Sequence, residues 1–531
     1  MTSTEDALGT GSSPTVGQSG FAKPALSGSI FTTTQTIGNK VITLFAMWIV
    51  ARLLSPAEVG LANVAVTVGA FVFFVSPTVF GDVLLSEPRR FHDLSGAARR
   101  LAYFAGGGLF LLLIAIAYPI EWFSGTAGIA FVLLFVALRP LADAFLVLPS
   151  ARMRLDLEYR RIALIDGLAT FLGTCGTVLL AWGGAGPIAI VLPPIGALAI
   201  RAVLFQRICR ARIDHRIVPG VTADIVRRSG LAGIGQYAHN VVGTLEPMVL
   251  WAFATQVEQG YFALAFQLAV QANALVNLQF VSVLQPIFSH LSHDAERQVE
   301  AFLRVLRMAA AIIIPISLVQ AALAEPLFQL LFEPEWKSSI GVFFALSIAQ
   351  ASVFVVTLSF TMLKAQGRFR TALFWQFGQL LFSAGLFAIF ARYFDETIPH
   401  AMLAIGIPAS SAAGHATAIA VASGAGWGVS SVVGMYLCGR RANLGLGSVM
   451  IQIARPWLVT LPFMAALLIL GPFLADALPG SWGSLATLFV AGPLVLLAAI
   501  LANVFTDTGV RSDFLVHGRR IVSKFVRRRT D

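Results

Sequence analysis

Lys40 lies within an apolar stretch, residues 30–51, that is long enough to cross a bilayer. Polar residues recur around it at spacings of three and four and so share one helical face: Thr32, Gln35, Thr36, Asn39 and Thr43. An ammonium group in a low-dielectric cavity attracts anionic oxygens through charge-assisted hydrogen bonds. The sequence therefore predicts anion binding at Lys40, with Asn39 and Thr43 beside it. The alternatives are that Lys40 extends to the membrane surface or pairs with an internal acid.

Arg139 is a second cation inside an apolar stretch, near the middle of residues 127–148. Its planar guanidinium group binds phosphate-type oxygens bidentately, so Arg139 is a candidate for the same ligand. Asp143 follows four residues later and therefore lies on the same helical face. A structural pair between Arg139 and Asp143 is thus an equal alternative, and Asp143 is also a candidate for coupling to a cation.

Glu246 is an acidic residue inside the apolar stretch 230–254, directly before Pro247. Several polar or small residues share its helical face: Gln236, His239, Asn240 and Gly243. A protonatable carboxylate where proline loosens the helix is a reasonable site for a coupling proton or sodium ion. Pairing of Glu246 with Lys40 is the alternative, whereas His239 is expected to be a packing residue. Gln236 and Asn240 are candidates for ligand binding.

The overall composition excludes a soluble globular protein. The 531 residues are 57% hydrophobic, with a mean hydropathy of +0.79 and 12% charged residues, where soluble proteins have about 25%. We predict an all-α polytopic membrane protein with about fourteen transmembrane helices. They lie near residues 30–51, 60–82, 101–120, 127–148, 162–182, 186–206, 230–254, 260–288, 303–324, 339–363, 371–392, 416–437, 453–474 and 483–505. Residues 395–416 are expected to form a long loop, with a helix at the membrane interface as the alternative.

The basic residues predict the orientation of these helices. All but six of the 37 Lys and Arg residues fall in the two tails and in every second loop, which places both termini in the cytoplasm. The six others are Arg52, Lys337 and Arg392 in the opposite loops, and Lys40, Arg139 and Arg201 within helices. Arg201 is expected to extend toward the surface, and Arg52 to pair with Glu58. The formal net charge of +10 thus reflects topology and attraction to anionic lipids, and nucleic-acid binding is not needed to explain it.

Two short segments repeat about 200 residues apart. Glu58-Val-Gly60 follows the first stretch as Glu258-Gln-Gly260 follows the seventh, and residues 159–164 resemble residues 368–373. Six helices per repeat give both copies the same orientation in the membrane. The repeat favours a transporter with two lobes around a central cavity.

Several motifs in order resemble the bacterial polysaccharide-transporter family, the lipid-linked oligosaccharide (O-antigen type) flippases of the multidrug/oligosaccharidyl-lipid/polysaccharide exporter superfamily. The motifs are ARLLSPAEVGLANVA at 51–65, LPSARMRLDLEYRRIAL at 148–164, GYFALAFQLAVQ at 260–271, VLQPIFSHLSHD at 283–294, EPEWKSS at 333–339 and LKAQGRFR at 363–370. The resemblance covers roughly residues 25–440.

This resemblance implies two six-helix lobes around a cavity, followed by two C-terminal helices. The expected organisation is a disordered cytoplasmic tail at 1–28, an N-lobe at 29–206, a basic cytoplasmic linker at 207–229, a C-lobe at 230–440, helices thirteen and fourteen at 441–506 and a basic cytoplasmic tail at 507–531. The cavity would be lined by helices one, two, seven and eight.

The implied activity is alternating access that carries undecaprenyl-diphosphate-linked glycan across the bacterial inner membrane, for exopolysaccharide or lipopolysaccharide synthesis. The diphosphate would meet Lys40 and Arg139. Gln267 and Gln271 share a face of helix eight, where they would bind sugar hydroxyls or join helices. Expected partners are the membrane lipids, a polysaccharide polymerase and a chain-length regulator; no cofactor is expected beyond Na⁺ or H⁺ coupling.

Two alternatives stay open. A cation-coupled antiporter of small molecules would share the fold. A membrane-bound glycan polymerase or ligase would need a large outer loop with catalytic groups, and the longest such segment, 395–416, has only His400, His415 and a few acids. The sequence contains neither a GxxxxGK[ST] phosphate loop nor an HExxH metal pair.

Overall fold

The protein is helical throughout the part of the chain that the structure describes. This computed structural model describes residues 19–73, 76–209, 220–290, 294–440, 445–478, 481–507 and 509–511. No strand occurs among these residues, and nineteen α-helices follow one another along them. The predicted all-α class is confirmed.

Eight helices form the first half of the chain. In order they are α1 (Ser19–Leu53), α2 (Pro56–Val72), α3 (Thr78–Ser86), α4 (Phe91–Ser124), α5 (Ile129–Val136), α6 (Leu138–Leu155), α7 (Tyr159–Trp182) and α8 (Ile188–Cys209). Helix α1 begins inside the segment that we predicted as a tail, while residues 1–18 lie outside the described part of the chain.

Eleven described helices follow. They are α9 (Val221–Phe253), α10 (Gln256–His290), α11 (Ala295–Ala322), α12 (Ala324–Leu331), α13 (Ser339–Ala365), α14 (Phe369–Tyr393), α15 (Thr397–Ala404), α16 (Gly414–Gly439), α17 (Leu446–Ala477), α18 (Trp482–Ala486) and α19 (Gly492–Thr506). The segment predicted as a loop at 395–416 contains the short helix α15 and one 3-10 turn, Ser411–Ala413. Residues 210–219 of the predicted basic linker and 512–531 of the predicted basic tail lie outside the described residues, and α9 begins within the predicted linker at Val221.

Each of the fourteen predicted stretches coincides with one helix or a consecutive pair. Among the described residues, ten spans are long and apolar enough to cross a membrane. The four predicted stretches outside this set correspond to α1, the pair α2 and α3, α9 and α10. The protein is therefore a multi-pass membrane protein, and the count of fourteen stays a prediction.

The two halves of the chain pack by the same scheme. In the N-lobe, α1 packs on α7, α7 on α8, α6 on α8, and α4 on α6. In the C-lobe, α9 packs on α14, α14 on α16, α13 on α16, and α11 on α13. Because each contact has its counterpart six spans later, the helices form two equivalent bundles. Helices α17 and α19 pack against α11 and against each other, outside both bundles.

The repeated acidic residues occupy equivalent positions at the starts of α2 and α10. The Ser55 amide donates to Glu58 Oε2 at 2.8 Å, and the Thr255 amide donates to Glu258 Oε2 at 3.1 Å. Both are capping boxes, in which the third helical residue returns a hydrogen bond to the cap. The internal repeat therefore marks two equivalent helix starts.

The repeated glycines bring α2 and α10 into close contact. A Cβ added to Gly60 would overlap the Gln256 carbonyl oxygen, and one added to Gly260 would overlap the Pro56 carbonyl oxygen. No side chain fits either position, since real Cβ atoms do not approach so closely. We call this contact the glycine crossing; it joins the lobes at the end that the charge pattern predicts to face outward.

Two tryptophans reinforce the same end of the lobe interface. The Trp48 indole donates to the Leu331 carbonyl at 2.6 Å, and the Trp336 indole donates to the Ala51 carbonyl at 2.7 Å. Arg52 pairs with Glu333 at 3.8 Å. The predicted pair of Arg52 with Glu58 is wrong, because Glu58 is engaged in its capping box.

Candidate functional site

A cavity of about 570 Å³ opens beneath the glycine crossing. We call it the N-lobe cavity. Helices α1, α2, α6, α7 and α8 contribute most of its wall, and α10 and Trp336 of the C-lobe complete it. Its wall is mostly apolar, and its polar side chains are Thr43, Asn63, Arg139, Thr170, Thr174, Thr177, Arg201 and Gln267.

The position of this cavity corrects the predicted lining by helices one, two, seven and eight. Helices one, two and eight correspond to α1, α2 and α10, and these do contribute. No described side chain of α9, the seventh predicted helix, reaches the cavity; α6, α7 and α8 take its place. The reason is that α9 packs mainly against α14 of its own lobe and against α2.

Arg139 faces this cavity from the start of α6. Its Nε lies 3.9 Å from Asp143 Oδ2, at the limit of an ion pair, and 47% of the Arg139 side chain is exposed, against 17% for Asp143. Arg139 lines the cavity, and the long separation makes its pairing with Asp143 loose. Arg139 thus lies near Asp143 and is also exposed; ligand binding at Arg139 stays a prediction.

Arg201 also lines the cavity and forms the tighter ion pair. Its Nε lies 2.7 Å from Oδ1 of Asp166 on α7. The expectation that Arg201 extends toward the surface is wrong, because Asp166 holds the guanidinium inside the N-lobe. Sequence reasoning missed Asp166, although an acid within the predicted span 162–182 was a visible signal.

The polar face of α1 only partly enters the cavity. Thr43 lines it and donates to the Asn39 carbonyl at 2.8 Å. Lys40 and Asn39 lie on the same helix, about one turn before Thr43. Both are half-buried, and neither lines the cavity. Lys40 forms no hydrogen bond or ion pair with any described residue.

The candidate residues of α9 and α10 are divided between locations. Gln267 is exposed to the N-lobe cavity. Gln271 lies one turn further along α10, and its buried Oε1 has no hydrogen-bond partner among the described residues. Asn240 is exposed on α9. Gln236 and His239 are not among the residues whose side chains the structure describes.

Glu246 lies inside the C-lobe. Its Oε1 accepts hydrogen bonds from Ser423 Oγ at 2.5 Å and from Trp427 Nε1 at 3.0 Å, both on α16. Its Oε2 is buried without a hydrogen-bond partner in the described part of the chain. The alternative pair with Lys40 is not formed in this structure, since the carboxylate faces α16. Among the described residues, no group of three or more His, Cys, Asp or Glu forms a candidate metal site.

The sequence matches a known protein family over the region that forms most of this cavity. The sequence model of the family described as "Polysaccharide biosynthesis protein" matches residues 49–341, more than half of the chain. The chain belongs to this family. The matched region contains the wall of the N-lobe cavity from Val50 to Trp336, and only the α1 residues Thr43, Ala46 and Met47 of the described wall precede it.

Curated relatives of this family member include two bacterial membrane proteins. The succinoglycan biosynthesis transport protein ExoT of Rhizobium meliloti (strain 1021) is 25% identical over 386 residues, which cover 71% of this chain and 75% of ExoT. An uncharacterized membrane protein in the cps region of Klebsiella pneumoniae is 21% identical over 352 residues, covering 64% of this chain and 71% of that protein.

Solved structures confirm the fold of this polysaccharide biosynthesis protein. The lipid II flippase MurJ, in an inward closed conformation, aligns with a TM-score of 0.63 at 13% identity, over 88% of this chain and 98% of MurJ. An inward-facing multidrug resistance MATE transporter of the MOP superfamily aligns with a TM-score of 0.57 at 13% identity, over 77% and 95%. The chain therefore has the MurJ/MATE-like transporter fold.

Proposed function

We propose that this protein is a flippase for undecaprenyl-diphosphate-linked oligosaccharide repeat units, acting across the bacterial inner membrane in exopolysaccharide or lipopolysaccharide synthesis. The observation that carries the proposal is the N-lobe cavity of a polysaccharide biosynthesis protein, with the accessible cation Arg139 in its wall. A diphosphate that leaves the membrane surface loses hydration, and a cationic cavity replaces it.

Arg139 is the main diphosphate ligand in this proposal. Its guanidinium is exposed to the cavity and only loosely held by Asp143, so a bidentate contact with phosphate oxygens does not require a strong ion pair to break. Arg201 differs because Asp166 holds it at 2.7 Å. Arg201 contributes positive potential, whereas Arg139 makes the contact.

Lys40 is proposed as the second cation. It lies one turn from Thr43 on α1 and has no partner among the described residues, so its ammonium is available to the ligand. Asn39 and Thr43 lie on the same helical face. The glycan would then meet the amides of α9 and α10, namely Gln236, Asn240, Gln267 and Gln271, while the polyprenyl chain stays in the lipid.

Movement of the lobes would carry the head group across the membrane. In this structure the glycine crossing and the tryptophan contacts close one end of the lobe interface. Alternating access requires that end to open while the opposite end closes. We propose that Na⁺ or H⁺ binding at Glu246, and secondarily at Asp143, biases this exchange, since Glu246 has one carboxylate oxygen without a described partner.

The charge pattern supports an inner-membrane location with both termini in the cytoplasm. There, the undecaprenyl-linked glycan would be taken from the inner leaflet and delivered to a polysaccharide polymerase and a chain-length regulator outside. No nucleic acid is involved in this scheme.

The test is polysaccharide export in cells that carry substitutions in the cavity. Arg139→Gln and Lys40→Gln remove a charge-assisted contact of about 1.5–3 kcal/mol each, so export should fall about 10- to 150-fold. Arg370→Gln, an exposed arginine outside the cavity, is the matched control. Normal export by both cavity variants would refute the proposal.

A deletion strain separates this function from its alternatives. Loss of a flippase leaves lipid-linked repeat units on the inner leaflet, whereas loss of a polymerase or ligase leaves single units outside. The mostly apolar cavity wall favours one second candidate, a cation-coupled antiporter of small molecules. That activity predicts normal lipid-linked intermediates and greater sensitivity to toxic compounds in the same strain.

A further inference from the structure

A second pocket, of about 250 Å³, lies between α11, α17 and α19, outside both six-helix bundles. We call it the basic pocket. Arg307 of α11 and Gln452 and Arg455 of α17 line it, together with Asn503 and Asp507 at the end of α19. A single buried water needs only roughly 15 Å³ by a comparable measure, so the pocket has room for a larger group.

The charges of the basic pocket leave a positive excess. Asp507 Oδ1 accepts the amides of Gly509 and Val510 at 2.9 and 3.1 Å, and its Oδ2 lies 3.5 Å from Arg455 Nη1. Arg455 also donates to the Thr506 carbonyl. Arg307 forms no ion pair with any described residue, and it is half-buried. One acid therefore faces two guanidinium groups.

The basic pocket lies at the ends of two apolar spans, at the level where lipid head groups are expected. The apolar spans of the two C-terminal helices are Met450–Leu474 and Trp482–Thr506. Gln452 and Arg455 lie at the start of the first span, and Asp507 directly follows the second. The charge pattern predicts this end of both helices to face the cytoplasm, where anionic lipids attract basic groups.

Exposed apolar side chains lead from the pocket along α17. Ile451 and Leu458 are 66% and 67% exposed, and they lie four residues before and three after Arg455. These three residues share one helical face, which directs an acyl chain away from the guanidinium groups. Phe505, also exposed, flanks the pocket on α19.

From this arrangement we propose that the basic pocket binds the phosphate of an anionic phospholipid from the inner leaflet, independently of the transport substrate. Arg307 and Arg455 contact the phosphate oxygens, and the Gln452 amide donates to the same head group. The lipid thereby joins the two C-terminal helices to α11 of the C-lobe.

Native mass spectrometry of the full-length protein tests the site with phosphatidylglycerol and chain-matched phosphatidylcholine. The wild type should retain phosphatidylglycerol in preference to phosphatidylcholine. Arg307→Gln should weaken that binding about fivefold, from the roughly 1 kcal/mol that one basic residue contributes, and Arg307→Lys should restore most of it. Gln452→Ala, which removes a side chain without a described hydrogen bond, should weaken it less. Arg370→Gln is the matched control, with wild-type retention.

Three outcomes would overturn the proposal. The first is unchanged phosphatidylglycerol binding in both Arg307→Gln and Gln452→Ala. The second is displacement of the lipid by millimolar inorganic phosphate, which would mark a free-anion site. The third is a preference for polyprenyl phosphate over phosphatidylglycerol, which would assign the pocket to the substrate lipid. All three outcomes are measured as lipid binding. A failure of this proposal can therefore be distinguished from a failure of the proposed flippase function, which is measured as export.

Discussion

At the scale of single residues, the buried carboxylate of Glu246 has an uneven environment. Oε1 accepts two hydrogen bonds from α16, while Oε2 is buried without a described partner. A buried acceptor without a partner costs about 1–3 kcal/mol, so a proton or a cation at Oε2 would remove a real penalty. Because the partners lie on α16, such binding would act on the packing of α9 against the C-lobe.

Glu246→Gln tests this coupling role. The amide oxygen keeps the contacts with Ser423 and Trp427, and the amide nitrogen replaces Oε2 with a group that binds neither a proton nor a cation. Transport driven by an imposed Na⁺ or H⁺ gradient should fall about tenfold or more, while binding of the lipid-linked glycan persists. Gradient-dependent uptake into vesicles measures this.

Glu335→Gln is the matched control, because Glu335 is an exposed carboxylate in the 3-10 turn Pro334–Ser338 that precedes α13. Equal gradient dependence in Glu246→Gln and the control would remove Glu246 from the coupling scheme and leave Asp143 as the remaining candidate.

At the scale of helices, the glycine crossing decides how closely the lobes approach. Gly60 and Gly260 each contact the backbone carbonyl of the opposite helix, so the contact is reciprocal. Backbone contact of this kind has no flexible side chain that can move aside. The contact is therefore a closed gate in this conformation, and it must separate if the cavity is to open on that side.

Gly60→Ala or Gly260→Ala should shift the protein away from this closed arrangement. Overpacking of about 1–3 kcal/mol corresponds to a population change of about 5- to 150-fold. An Asn63→Cys reporter, with the native cysteines replaced, lies in the cavity wall beyond the crossing. Its labelling by an impermeant maleimide from outside should rise by that factor.

Gly107→Ala is the control for this experiment, since nothing lies within 4 Å of a Cβ at Gly107 and that variant should label like the parent. A crossing variant that labels no faster than Gly107→Ala would show that the contact does not limit access from outside.

At the scale of the whole molecule, two equivalent bundles enclose an unequal interior. The N-lobe contains the cavity with Arg139, Arg201 and their acidic partners, and the C-lobe contains Glu246 with hydroxyl and indole donors. The two copies of the repeat have thus kept their packing while diverging in polar content. In the proposed scheme the cations of the N-lobe would therefore bind the diphosphate, while Glu246 of the C-lobe would be the main coupling site.

Site-directed labelling tests the orientation on which this scheme depends. A cysteine at Glu335 should react with an impermeant reagent in intact spheroplasts, whereas a cysteine at Arg370 should react only after the membrane is permeabilised. Both positions are exposed, so reactivity reports the side of the membrane. The reverse pattern would contradict the predicted cytoplasmic location of both termini.

Much of the fold was readable along the chain. Hydropathy located each described helix that is long and apolar enough to span the membrane, because such a helix must be apolar over its own length. The repeated segments Glu58-Val-Gly60 and Glu258-Gln-Gly260 were visible as short motifs, and the structure shows that they mark two capped helix starts. Arg139, Thr43 and Gln267 were identified as candidates because ionisable and polar residues in such spans rarely face lipid, and the structure brings all three to one cavity.

The sequence by itself determined the helical class, the helix positions and the predicted orientation, because each depends on local composition and on charge counts. Only the tertiary structure decided that α6, α7 and α8 line the cavity while no described side chain of α9 does. It also decided that Asp166 holds Arg201 inside, and that Glu246 faces α16 and not Lys40. These outcomes depend on how each helix is rotated about its axis against neighbours distant in sequence. Periodicity shows which residues share a face, but the packed bundle alone shows what that face meets.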